Sequence, residues 1–230
     1  MRRKLLFTVV IILAFLLATA ATALAADEQY AIVRVKLSIG EPTEFSFFAD
    51  GNYTVGADGI GLERQQYTVR LEGGSLGLYF GAERLASGAS IKLVRHLETA
   101  ERNNFIWMYN VQSASGTNYN FKYLGDMEFI ILTNDAGAPY IAAINHVYIE
   151  DYLRGVVPSE MENGSHIEAL KSQAVASRSY AEYHIRPSQP FDVYDSTKSQ
   201  VYKGYNDLTN SKTAVESTAS TVLTYGGQII

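Results

Sequence analysis

The chain has 230 residues, a formal charge of −5 and no cysteine, which excludes thiol catalysis, thiolate metal sites and disulfide support. With 47% apolar and 19% charged residues it can bury enough surface to offset its ordering entropy, so disorder is excluded. The acidic balance repels phosphates and makes nucleic acid a poor partner.

Residues 1–25 have the three parts of a secretory leader: a basic start at Arg2, Arg3 and Lys4, an apolar run over 5–21, and Ala23-Leu24-Ala25. Cleavage after Ala25 is expected. A retained membrane anchor is the alternative, because the run is only slightly shorter than the ~20 residues that span a bilayer. Either way the chain is expected to be exported, to the cell wall or the extracellular space. The remainder is long enough for one large domain or two small ones.

Residues 26–115 read as a β-rich region, with alternation clearest in Ala31-Ile32-Val33-Arg34-Val35-Lys36-Leu37 and turns at Asp50-Gly51-Asn52 and Glu72-Gly73-Gly74. Ser113-Ala114-Ser115-Gly116-Thr117 is small and polar, and marks the expected boundary with a second region, 116–230. There the apolar runs 127–133 and 139–149, joined by Asn134-Asp135-Ala136-Gly137, predict a β-hairpin. The chain then passes through Glu150-Asp151-Tyr152-Leu153 into Pro158-Ser159-Glu160-Met161, read as a proline-initiated turn.

One long helix is expected next. Ser165 is its N-cap, Glu168 completes a capping box, and Pro187 sets its end. Leu170, Ala174, Ser177 and Ala181 share one face while Val175, Ala176 and Tyr180 lie on others, so this helix should be central and largely buried. Strand-like segments follow at 191–194, 200–202 and 221–225, with a short helix over 210–220. Strands and helices without regular βαβ alternation give an α+β fold: a β-rich N-terminal region followed by a mixed domain with one long central helix.

Several residues could carry chemistry. Glu160, between a turn and a helix, projects from a rigid loop into a cleft or is an ordinary solvated acid. Lys171, Gln173 and Arg178 are polar groups on a helix that otherwise looks buried, so each needs a partner or a wet groove; Arg178 can equally be a structural arginine. The 16 tyrosines and 10 phenylalanines suit sugar stacking, but strand propensity explains most of them, and Trp107 reads as core. His96, His146, His166 and His184 show no metal spacing, and serine-hydrolase, nucleotide and dinucleotide motifs are missing.

The run from Tyr152-Leu153-Arg154-Gly155-Val156-Val157 through Pro158-Ser159-Glu160-Met161, followed by Glu168-Ala169-Leu170-Lys171-Ser172-Gln173-Ala174-Val175-Ala176-Ser177-Arg178-Ser179-Tyr180-Ala181, closely resembles the SpoIID/LytB domain. Phe191-Asp192-Val193-Tyr194-Asp195, Gln200-Val201-Tyr202-Lys203-Gly204 and Val222-Leu223-Thr224-Tyr225-Gly226-Gly227 continue the match in order.

The resemblance implies a peptidoglycan-remodelling protein of sporulation or wall turnover, either a lytic transglycosylase or a non-catalytic enhancer of a wall amidase. A plain wall-binding module is a third reading. It implies Glu160 as the catalytic acid, with Lys171, Gln173, Arg178, Tyr180, Gln200 and Tyr202 binding substrate. The partners implied are glycan strands and a wall amidase or membrane-bound engulfment-type complex. Some relatives hold zinc near the segment where this chain has Ser196-Thr197-Lys198-Ser199, so no metal and no cofactor are expected. The family pattern also continues into a Ser-Gly-Gly motif beyond Ile230, so the domain is expected to be incomplete at its C-terminus.

Overall fold

The computed structural model describes residues 32–96, 104–112 and 118–230; the expected leader and the expected boundary at 113–117 lie outside them. The strands before the first helix are β1 (Ile32–Lys36), β2 (Glu44–Asp50), β3 (Tyr53–Val55), β4 (Gly61–Leu62), β5 (Gln65–Glu72), β6 (Ser75–Phe80), β7 (Glu83–Gly88), β8 (Ser90–Arg95), β9 (Phe105–Gln112), β10 (Asn118–Tyr123), β11 (Asp126–Thr133) and β12 (Pro139–Tyr148). After them come α1 (Ile149–Glu160), α2 (Ile167–Tyr183), β13 (Val193–Tyr194), α3 (Thr209–Ser217), β14 (Thr224–Tyr225) and β15 (Gln228–Ile229). The α+β class is observed.

Two sheets carry the core. One has the order β13-β1-β12-β11-β8-β3-β4 and the other β10-β9-β2-β5-β6-β7. Alternation puts Val33 and Val35 of β1 inward, both fully buried. Phe47 of β2 stacks on Phe129 of β11 at 5.2 Å between ring centroids, so the inner faces of the sheets meet. Each such side chain contributes roughly 1.5–3 kcal/mol by leaving water. β12 is buried along nearly its whole length on both faces, which is why it reads as a continuous apolar run.

The expected hairpin forms as β11 and β12, in antiparallel register from Asp126↔His146 to Thr133↔Pro139. β8, before the expected boundary, pairs with β11 after it, and β1 pairs in parallel with β13. The two regions therefore share a sheet and a core, and Val33–Ile230 is one compact unit.

The expected long helix is α2, of 17 residues, but it is not alone: a helix of 12 residues, α1, precedes it. The segment read as a turn before Glu160 is the end of α1, with Pro158 inside its last turn. Proline is tolerable there because only one internal hydrogen bond is lost, close to the frayed end. The cap of α2 is His166, not Ser165: His166 Nδ1 accepts from the Glu168 N–H at 3.3 Å. Glu168 turns to Lys171 instead of reaching back, so no capping box forms. Residues 200–202 have no strand pairing and run as an irregular segment.

Candidate functional site

Helix α1 positions the site. Its apolar residues Ile149, Tyr152, Leu153, Val156 and Val157 fall at helical spacing and are all buried, while its polar residues reach other elements. Glu150, in the first turn where an acid suits the helix dipole, is held by Arg178 of α2 through two parallel bonds: Nε to Oε1 and Nη2 to Oε2, each 2.8 Å. Arg154 donates to Glu216 of α3 at 2.6 Å. Gly155 leaves room for close approach, since a Cβ there would lie 2.1 Å from the Gly204 carbonyl oxygen and 2.6 Å from the Tyr202 ring.

Glu160 ends the helix. Its side chain is exposed, and its Oε1 accepts from the Val201 backbone N–H at 2.6 Å. This bond ties the end of α1 to the irregular segment between β13 and α3. Oε2 has no recorded partner among the described residues. The carboxyl is thus fixed at one oxygen and open at the other, which suits proton transfer at the open one.

Beneath it lies a tyrosine cluster. Tyr152 and Tyr202 rings are 4.9 Å apart, and Tyr123 is 5.7 Å from Tyr202. The Tyr152 hydroxyl donates to Gln200 Oε1 at 3.3 Å, and Tyr202 donates to Asn145 Oδ1 at 3.0 Å. Asn145 in turn donates to the Leu124 and Asp126 carbonyls. Burial pushes all three phenols well above their usual value, and the nearby charge of Glu160 adds to the effect at Tyr152. These tyrosines stay protonated, and Tyr152 and Tyr202 act as donors that brace the segment carrying Val201.

The expected substrate-binding residues separate on this frame. Gln200 and Tyr202 are 7% and 2% exposed and support the site from below. Tyr180 is close enough to Tyr152 to raise its phenol, and stacks on His184 at 4.0 Å. Lys171 pairs with Glu168 and Gln173 donates to Ser177, both within α2. Arg178 has no exposed side-chain surface. Besides Glu150 it donates to the Thr221 and Val215 carbonyls, so it fastens α1, α2 and the segment after α3 together and has no surface to offer a ligand. It does not pair with Glu160, whose Oε1 accepts from Val201.

Two features went unread in the sequence. Asp195 accepts from the Ser38 N–H at 2.7 Å and from the Ser38 hydroxyl, and burial pushes its carboxyl above the usual value. It joins the segment after β13 to the one after β1. A cavity of about 510 Å³ also opens at the end of α1, lined by Pro158 and Ser159, which precede Glu160 in the chain, by Trp107, Phe121 and Lys122 of the second sheet, and by Lys203 and Tyr205. Trp107 is only half-buried and faces this cavity, so it is not the core residue that its strand context implied. No three His, Asp or Glu side chains converge to hold a metal among the described residues.

Residues 138–225, which span α1, α2 and α3, match the family described as stage II sporulation protein, SpoIID. Over 78 residues the chain is 42% identical to the amidase enhancer of Bacillus subtilis strain 168, covering 34% of this chain and 10% of that protein. This part of the chain is of the SpoIID/LytB type.

An uncharacterized protein of Brachyspira hyodysenteriae strain WA1 is 42% identical over 113 residues, 47% of this chain and 29% of that one. The chain thus spans less than a third of the length of either of these relatives. No solved structure matches it.

Within the SpoIID/LytB match, the polar residues of the Tyr152–Glu160 motif divide by what they touch. Glu150 and Arg154, beside and within it, are held in ion pairs with Arg178 and Glu216, whereas Glu160 stands at the surface without a cation among the described residues.

Proposed function

We propose that this chain is an exported cell-wall protein that acts on peptidoglycan glycan, with Glu160 transferring protons in a non-hydrolytic cleavage. The observation that carries the reading is the state of Glu160: exposed, tethered at Oε1 by Val201, and at the end of the helix whose Pro158 and Ser159 line an aromatic cavity. The family match and the amidase-enhancer relative support the wall as the place of action.

In the reaction, Glu160 protonates the glycosidic oxygen between N-acetylmuramic acid and N-acetylglucosamine as the bond to C1 breaks. The carboxylate then takes the proton of the muramic C6 hydroxyl while that oxygen bonds to C1. The product is a 1,6-anhydro end, and Glu160 is again protonated. No water is consumed and one carboxyl serves twice, whereas hydrolysis uses two. Asp195 is not needed as a second acid; its oxygens are engaged by Ser38.

Digestion of peptide-stripped glycan by the full chain, read by muropeptide analysis, tests this. Anhydro-muramyl ends that vanish in Glu160→Gln are expected. Their absence with the parent protein overturns the catalytic role.

The relative's name favours a second reading, in which the chain stimulates a wall amidase without cutting glycan. A Glu160→Gln protein that still raises the amidase rate as the parent does would select that reading.

A further inference from the structure

We propose that the outer face of the second sheet carries a glycan-binding tract, built on Trp107 and Tyr109, that holds the strand beyond Glu160. It rests on the wall-glycan reading above and extends it to residues outside the stretch that matches the family.

Trp107 and Tyr109 are two apart on β9 and so project from the same face. Their ring centroids are 6.5 Å apart and the ring planes within 7° of parallel, which makes an ordered aromatic pair. Tyr109 is 37% exposed and Trp107 half-buried, so both present ring surface to solvent. A second cavity of about 680 Å³ shares a wall with the one at the end of α1: Tyr109 lines the second, Trp107 the first, and Asn120 lines both. The aromatic pair therefore links the end of α1 to the outer face of the sheet.

The chemistry of the lining identifies the occupant. Flat aromatic faces take the C–H faces of pyranose rings, and the Asn120 amide can pair with N-acetyl groups. Lys122 and Lys203 line the first cavity, and no carboxylate does; Glu44 lines the second, where Arg70 pairs with it at 2.9 Å. Lys122 sits over the Trp107 ring at 5.8 Å and the Tyr205 ring at 5.5 Å, so its ammonium is carried on the tract itself. Asp50 lies under the same ring, bonded to Trp107 Nε1, but its charge is matched by Arg64.

On a chain of net charge −5, this is a local positive site. It suits a strand of N-acetylated amino sugars bearing carboxylates, from lactyl groups or from stem peptides.

Trp107 is the only tryptophan of the chain, so its fluorescence reports on the tract. The full chain carrying Glu160→Gln is titrated with an N-acetylglucosamine oligomer, with peptide-stripped glycan, and with glycan that keeps its stem peptides. A saturable change in Trp107 emission is expected with all three. Binding of the two carboxylate-bearing glycans should be tighter than that of the oligomer, and the better of them names the source of the carboxylate.

Tyr109→Ala, at an exposed position, should weaken every ligand about tenfold; Lys122→Gln should weaken only the carboxylate-bearing ones. If both variants co-sediment with glycan as the parent does and Trp107 emission is unmoved, the tract is overturned while Glu160-dependent cleavage can still stand. If the parent binds none of the three glycans, the wall-glycan reading falls with it.

Discussion

The two ends of α1 carry a glutamate each, and the two have opposite fates. Glu150, at the N-terminal end, meets a fully buried arginine that grips both its oxygens. Glu160, at the C-terminal end, meets one backbone N–H and open solvent. The residue type is the same and the distance is three helical turns. What differs is the neighbour: α2 and the segment after α3 close over the first turn, while only the loop after β13 reaches the last. The same acid is a fastening at one end and a reagent at the other.

Removing the fastening should have the largest effect. Arg178→Met leaves Glu150 without its cation in a half-buried place and is expected to cost about 3 kcal/mol, the low end for a broken buried pair because Glu150 is 33% exposed. A urea midpoint unchanged from the parent would remove the contrast between the two ends. Gly155→Ala tests the close approach midway along the helix. Helix propensity favours alanine by about 1 kcal/mol, yet a methyl group 2.1 Å from the Gly204 oxygen should reverse the sign, for a net loss of about 2 kcal/mol. Greater thermal stability in that variant would show that α1 can shift away from Gly204.

Tyr152→Phe deletes the hydroxyl that braces Gln200. A loss of about 1 kcal/mol is expected by chemical denaturation. If the brace matters for Glu160, cleavage or amidase stimulation should fall by more than this stability change explains. Glu160→Gln is the counterpart of the arginine substitution. It should change stability by less than about 0.5 kcal/mol while abolishing anhydro-end formation. A large loss of stability would make Glu160 a second fastening.

The smallest effect concerns pH. Burial raises the Asp195 carboxyl above its ordinary 3.8, so the native state holds that proton more tightly than the unfolded chain does. Its contribution to stability is complete below about pH 4 and is lost as pH rises through the higher native value. Asp195→Asn should flatten that decline when stability is measured from about pH 4 to pH 6.

Much of the fold was legible from local pattern. The hairpin of β11 and β12 and the helix α2 were expected where they occur, because alternation, turn residues and capping signals are properties of short segments. The cap was displaced by one residue because His166 competes with Ser165 as acceptor. The missed helix, α1, had its own signal in the spacing of Ile149, Tyr152, Leu153, Val156 and Val157, with two acids in the first turn. Pro158 and the apolar run continuing from β12 hid it. At the site, the need of Arg178 for a partner on a buried helix was legible. The burial of Arg178, Gln200 and Tyr202 was not, nor was the placing of Trp107 beside α1.

Sequence periodicity suffices to build strands, helices and one exposed acid at a helix end, since each depends on residues a few positions apart. The tract depends on pairings it does not encode locally. Lys122 meets Trp107 because β10 pairs with β9, and Tyr205 joins them because its N–H reaches the Lys122 carbonyl at 2.7 Å across more than eighty residues of chain. Which glutamate is gripped and which is open was likewise decided by long-range packing, which alone sets where the low-dielectric interior ends.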